Sequence, residues 1–216
     1  RLSMSSDALL NVRGTIDGNG NFKDLNGGVY PYSVEFGTGN TWQGSGSTIV
    51  QDTGLPPLTV DEYFGSFFSN DGSPMTLAEV EPYAAVYTGP LDDSSAFNAF
   101  VQSNLDAGVI WIDGDLDLRG GNASFGLPDE PVIIIVDGNI TLGGNKDFYG
   151  GLFVTGSMTV ATGGNVTITG SMAVYGDALL QGAVTVEGDP VVRDALLEGG
   201  YLSPVEIPVS VLLAND

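Results

Sequence analysis

A short apolar strand, a glycine and a second short strand recur at a nearly fixed interval, and this repeat limits the possible folds more than any other feature. The copies are Val109-Ile110-Trp111-Ile112-Asp113-Gly114-Asp115-Leu116-Asp117-Leu118, Ile134-Ile135-Val136-Asp137-Gly138-Asn139-Ile140-Thr141-Leu142, Leu152-Phe153-Val154-Thr155-Gly156-Ser157-Met158-Thr159-Val160 and Met172-Ala173-Val174-Tyr175-Gly176-Asp177-Ala178-Leu179-Leu180. Their marker glycines, Gly114, Gly138, Gly156 and Gly176, lie 24, 18 and 20 residues apart. A third apolar strand falls between markers. It is Val166-Thr167-Ile168 before Gly170 and Val184-Thr185-Val186 before Gly188, with Phe148 before Gly150 in the same place one turn earlier. Three brief strands plus corners consume about 20 residues, one turn of a parallel β-coil. The expected fold is mainly β: a right-handed parallel β-helix of three-strand coils, with a small α-helical insertion.

Alternation within the strands sets what fills the coil. Ile140 and Leu142 point in with Thr141 out, Met158 and Val160 in with Thr159 out, and Val166 and Ile168 in with Thr167 out. Inward residues then form aliphatic ladders along the axis. Glycine corners, with Asn139, Asn145 and Asn165 nearby, suit the turn conformations that bulkier residues resist.

The repeat divides the chain into 1–55, 56–108, 109–190 and 191–216. In the first segment Leu9-Leu10-Asn11-Val12-Arg13-Gly14-Thr15-Ile16-Asp17-Gly18 has the same strand–glycine–strand form, and Ser47-Thr48-Ile49-Val50 reads as another leg. These predict an earlier turn of the helix, with an irregular loop between. The second segment reads as two or three short helices. Thr59-Val60-Asp61-Glu62 and Thr76-Leu77-Ala78-Glu79 match the capping box. Val60, Phe64, Phe67 and Phe68 follow helical spacing, as do Phe97, Phe100, Val101 and Leu105, which end at Gly108. Their apolar stripes are expected to cover an end or flank of the solenoid, because an open end exposes unpaired strand edges. The third segment is the repeat itself. In the fourth, Val191 to Leu197 reads as a short helix or a last irregular coil. Tyr201 to Leu213, with Pro204 and Pro208, reads as an edge strand or arm suited to an intermolecular contact.

Charge and missing residue types exclude several functions. With 27 acidic and 6 basic residues the net charge is −21, so nucleic acid and anionic lipid are excluded as primary partners. The chain has no Cys and no His, which removes disulfides, thiol nucleophiles, ordinary zinc sites and the Ser-His-Asp triad. The longest apolar run, Val132 to Val136, is far too short to cross a bilayer, so no membrane insertion is expected from these residues. The chain begins at Arg1 rather than Met, and removal of an N-terminal leader or anchor is the expectation.

Chemistry has few candidates. Asp113, Asp115 and Asp117 sit on alternate positions around Gly114, and like charges that close favour solvation or a bridging cation, so a weak Ca²⁺ site is expected there. Gly143-Gly144-Asn145-Lys146-Asp147-Phe148 is only superficially similar to a calcium-binding nonapeptide, which wants Gly where Lys146 stands. A polysaccharide-cleaving β-helix would draw on Asp137, Asp147 and Asp177 besides these, with Arg119 or Lys146 as base and Trp111 or Tyr149 as sugar platforms. Outward Thr141 and Thr159 make a short threonine ladder of the kind ice-binding solenoids use. It is interrupted by Asp117 and Leu179 at the equivalent positions.

Three stretches carry a resemblance: Trp111 to Leu118, Pro131 to Asn145, and Tyr149-Gly150-Gly151-Leu152-Phe153-Val154-Thr155-Gly156. Together they resemble the C-terminal β-helical region of type IV pilus assembly proteins of the minor-pilin-like kind, over about half the chain. The resemblance implies a hydrophobic N-terminal helix ahead of a variable region and then the β-helix. It further implies a bacterial, extracellular, cell-surface or periplasmic location, and pilus or cell-envelope proteins as partners. The repeats are also similar to bactofilins, β-helices that polymerise end to end, although a helical insertion is foreign to that group. The expected function is a non-catalytic exported structural protein with a role in pilus assembly, adhesion or surface interaction. The alternatives are a self-assembling scaffold forming homo-oligomers, and a carbohydrate-binding or polysaccharide-degrading β-helix.

Overall fold

The structure, a computed structural model, describes residues 3–4, 10–18, 22–24, 29–36, 42–44, 59–65, 68–70 and 73–198. The expected leg at Ser47 to Val50 and the arm at Tyr201 to Leu213 lie outside the described residues, as does Phe67.

The repeat winds into a parallel β-solenoid. Val109–Asp113, Leu116–Leu118 and Asn122–Phe125 form coil I. Val132–Asp137 and Ile140–Leu142 open coil II, which closes with the first half of Asn145–Val154. The second half of that strand starts coil III, completed by Met158–Val160 and the first half of Asn165–Val174. Coil IV takes the rest of that strand, Ala178–Leu180 and Ala183–Glu187. Stacking gives three faces, each a parallel ladder. Face A stacks the first strand of each coil, face B the short second strand and face C the third. The register keeps equivalent residues in line, as in Leu116–Ile140–Met158–Ala178 on face B. The interior holds these residues with Ile112, Val136, Val154, Val174, Phe148, Ile168 and Val186, all buried.

The glycine corners are explained by crowding between coils. A Cβ on Gly138, Gly156 or Gly176 would lie 2.5–2.8 Å from backbone atoms of the glycine one coil back. At the corner between faces C and A, Gly170 has φ 137° and a Cβ there would strike the Gly150 carbonyl oxygen. Gly188 comes directly after Glu187, the last residue paired on face C, and there the chain leaves the solenoid.

Face A is buried on both sides, which is why its strands read as unbroken apolar runs. The inner side belongs to the solenoid interior. The outer side, with Val109, Trp111, Ile133, Ile135, Phe153 and Ala173, forms a second core under the insertion. Helix α1 (Val60–Gly65) brings Tyr63 and Phe64, α2 (Leu77–Val80) brings Val80, and a later helix at Pro190–Glu198 brings Val192. Both capping boxes form. The Glu62 carboxylate accepts from Thr59 N at 2.7 Å, and that of Glu79 from Thr76 N at 2.8 Å. Phe68 departs from the expected helix. It lies in a strand, Phe68–Asn70, that pairs antiparallel with Ser3–Met4, and its ring still stacks on Phe64 at 4.2 Å. Gly65 closes α1 where a Cβ would lie 2.8 Å from Pro74.

The coil I end is covered. Ala85–Tyr87 adds a parallel strand to face A beyond coil I. Helix α3 (Ser94–Gln102) then seats Phe97 and Val101, both fully buried, in the interior core. Phe97 meets Phe125 at 5.2 Å and Tyr87 at 5.1 Å. The Asp93 carboxylate caps α3 by accepting from Ser95 N and Ala96 N. The helix ends at Gln102, earlier than the apolar spacing suggests. Leu105–Ala107 follows as a 3₁₀ turn closed by Gly108 at φ 67°. The segment after Pro190 resolves to helix α4 (Pro190–Glu198).

The N-terminal coils overturn the expected order. Leu10–Gly18 with Phe22–Asp24 forms coil V, and Val29–Phe36 with Trp42–Gly44 forms coil VI. Coil V does not precede coil I. It stacks on coil IV, with Leu10 beside Met172, Ile16 beside Ala178 and Phe22 beside Val184, and coil VI stacks on coil V. The reason is steric. Ala85–Tyr87 and α3 occupy the coil I end, whereas the chain leaves coil IV for a helix on face A and frees that edge for pairing.

Candidate functional site

The polar residues with chemical potential gather at two corners of the solenoid. At the corner between faces A and B a polar residue follows each marker glycine: Asp115, Asn139, Ser157 and Asp177. The column is hydrogen-bonded from coil to coil. Asp115 Oδ1 accepts from Asn139 N at 2.7 Å and Nδ2 at 2.8 Å. Asn139 Oδ1 accepts from Ser157 N at 2.8 Å, and Ser157 Oγ accepts from Asp177 N at 3.2 Å. Beside it, Asp137 Oδ1 accepts from the Thr155 hydroxyl at 2.9 Å.

The expected calcium triad does not assemble. Asp115 faces Asn139, whereas Asp117 is gripped by Arg119, whose Nε lies 2.9 Å from both carboxylate oxygens. Asp113 is exposed at the end of its strand. Among the described residues no group of three or more carboxylates is placed to hold a metal ion. The hydrogen bonds from Arg119 hold the Asp117 carboxyl below the usual carboxylate range, and the same pair raises Arg119.

The residues suggested for polysaccharide cleavage are scattered. Trp111 is 3% exposed beneath the insertion, so it cannot serve as a sugar platform, and Tyr149 packs against the same cluster. Asp147 lies on face C in register with Ser124, Thr167 and Thr185. On face B the register runs Asp117, Thr141, Thr159, Leu179, Asp17 and Glu35, so acidic and apolar residues bracket the threonine pair.

The second corner, between faces B and C, holds the residue whose role the sequence leaves unread. Lys146 points inward on face C and is fully buried. Its Nζ donates to the carbonyl oxygens of Gly120, Gly121 and Gly143, each at 2.8 Å. Burial pushes its pKa down. The available signal was its register: Lys146 stands where Val166 and Val184 stand in the next coils, an inward position.

No family description and no curated protein sequence matches the chain. Among solved structures, it is similar to the Shewanella frigidimarina ice-binding protein_1 DUF3494 domain at 14% identity and a TM-score of 0.38, over 83% of this chain and 94% of that chain.

Proposed function

We propose that the chain is a non-catalytic structural module of the bacterial cell surface, associated with a pilus, whose solenoid is a rigid body presenting faces B and C outward. The observation that supports it most is the bonding of the corner column. Asp115, Asn139, Ser157 and Asp177 hold successive coils together, so residue types that could serve chemistry serve cohesion. The filled aliphatic interior and the close-packed glycine corners act in the same direction, because dense packing resists deformation.

End-to-end polymerisation of the bactofilin type is less well supported. It needs a free strand edge at each end, and α3 with Ala85–Tyr87 occupies the coil I end.

Localisation in the source bacterium is the deciding test. Antibodies against the purified chain are expected to find it in the sheared surface fraction with the pilus fibres, and protease added to intact cells is expected to remove it. Retention in the cytoplasm would overturn the reading. So would release of new sugar ends from a polysaccharide panel.

A further inference from the structure

We propose that the corner between faces B and C of coils I and II is a binding site for a primary ammonium group, occupied in this chain by its own Lys146. The site is independent of the surface role proposed above.

Three backbone carbonyls converge there. Gly120 and Gly121 come from the end of coil I, and Gly143 comes from the corresponding corner of coil II. A protonated amine has three N–H donors and no acceptor. Each of the three Nζ–O distances is 2.8 Å, so one donor is matched to each oxygen. The match is chemical as well as geometric, since charge-assisted hydrogen bonds are stronger than neutral ones. Gly121 and Gly144, both at positive φ, shape the corner, and a Cβ on Gly144 would strike the Gly121 oxygen. Two glycine pairs in consecutive coils therefore build a carbonyl-lined cradle.

The same corner in the later coils needs no cation. There Val166 and Val184 take the inward position, and the Gly164 carbonyl accepts from Ala183 N at 2.8 Å. In coil I the link from Leu118 to Asn122 presents the glycine carbonyls of residues 120 and 121 to this corner. Lys146 supplies the positive charge from within the chain, so the corner closes without an ion from solution.

The test uses the full chain and two variants refolded in salts of matched ionic strength. Lys146→Met keeps most of the stem and removes the charge. Lys146→Ala removes the stem beyond Cβ and leaves room for n-propylammonium, which restores the lost atoms. Both variants are expected to lose thermal stability. n-Propylammonium is expected to restore most of the lost Tm in Lys146→Ala with saturable dependence on concentration, and to restore none in Lys146→Met. Tetramethylammonium, which has no N–H, is expected to restore neither. An unchanged Tm in Lys146→Met would overturn the proposal, as would equal recovery with tetramethylammonium or no recovery in Lys146→Ala. A second measurement needs no variant. ¹⁵N NMR of the wild-type lysine side chains is expected to show Lys146 as a slowly exchanging NH₃⁺ with couplings to three carbonyl carbons at neutral pH, and a neutral amine there would overturn it.

Discussion

A methyl group at Gly170 meets two obstacles of different kinds, and neighbouring glycines separate them. Gly163 has φ 79° with open space around its missing Cβ. Gly176 is not at positive φ, but its Cβ would lie 2.6 Å from the Gly156 oxygen. Gly170 combines φ 137° with a clash against the Gly150 oxygen. Left-handed backbone costs a non-glycine residue about 1–2 kcal/mol, and a strained backbone of other kinds roughly 1–3 kcal/mol. Urea melts are therefore expected to place Gly163→Ala as the mildest variant, at about 1–2 kcal/mol. Gly170→Ala should be the most damaging, because its losses come from both sources. Equal losses in the three would show that stacking distance plays no part. Acid acts on other residues. Hydrogen bonds from Arg119 lower the Asp117 pKa, and those from Thr76 lower that of Glu79. A folded pKa below the unfolded value gives stabilisation that is present above the unfolded carboxylate pKa of about 4. It is lost as pH falls through the lowered folded value. Tm is thus expected to fall on acidification below about pH 4, and Asp117→Asn, measured alongside, is expected to show a shallower fall.

At the level of elements, α3 closes the coil I end through Phe97 and Val101. Phe97→Ala is expected to cost about 3–5 kcal/mol in a urea melt. It is also expected to raise light scattering with protein concentration, since a loosened cap uncovers parallel strand edges. Wild-type scattering in the variant would mean that Ala85–Tyr87 alone protects this end. The elements were legible in the sequence wherever period and corner agreed. The strands of coils I to IV, the marker glycines and the inward residues follow from alternation against glycine, because one buried face fixes the register. Thr59 and Thr76 likewise announce their helix starts through Glu62 and Glu79. Phe68 was not legible as a strand. Its spacing from Phe64 fits a helix, and a pairing with Ser3–Met4, remote in sequence, decides otherwise. The calcium triad failed for a related reason. Spacing along the chain revealed neither the Arg119 fork on Asp117 nor the Asn139 amide on Asp115.

For the whole molecule, sequence order and spatial order differ. Reading the chain from its start places the coil at Leu10 ahead of the coil at Val109. In the fold coil V meets coil IV instead. Strand pairing explains how this is tolerated, because a parallel ladder is indifferent to the direction from which its next rung arrives. The coil IV edge is open once the chain has turned into α4, and the coil I edge is not. An entropic term opposes the arrangement, but it grows only slowly with the length of the closed loop, by about 0.6 kcal/mol per doubling. Pairing of coil V along three ladders offsets it. The chain contains no cysteine, so an introduced pair reports on this order cleanly. Lys23 is in register with Thr185 on face C, and adjacent strands lie about 4.8 Å apart, within the Cα range a disulfide spans. Lys23→Cys with Thr185→Cys is expected to oxidise to a monomer with one internal crosslink, detected by peptide mapping. Gln43→Cys with Ser124→Cys tests the sequential order, because coil VI would then adjoin coil I, Gln43 is in register with Lys23, and Ser124 occupies the same face in coil I. That pair is expected to stay reduced within the monomer. A crosslink in the second pair and none in the first would place the N-terminal coils ahead of coil I and remove the covering role assigned to α3.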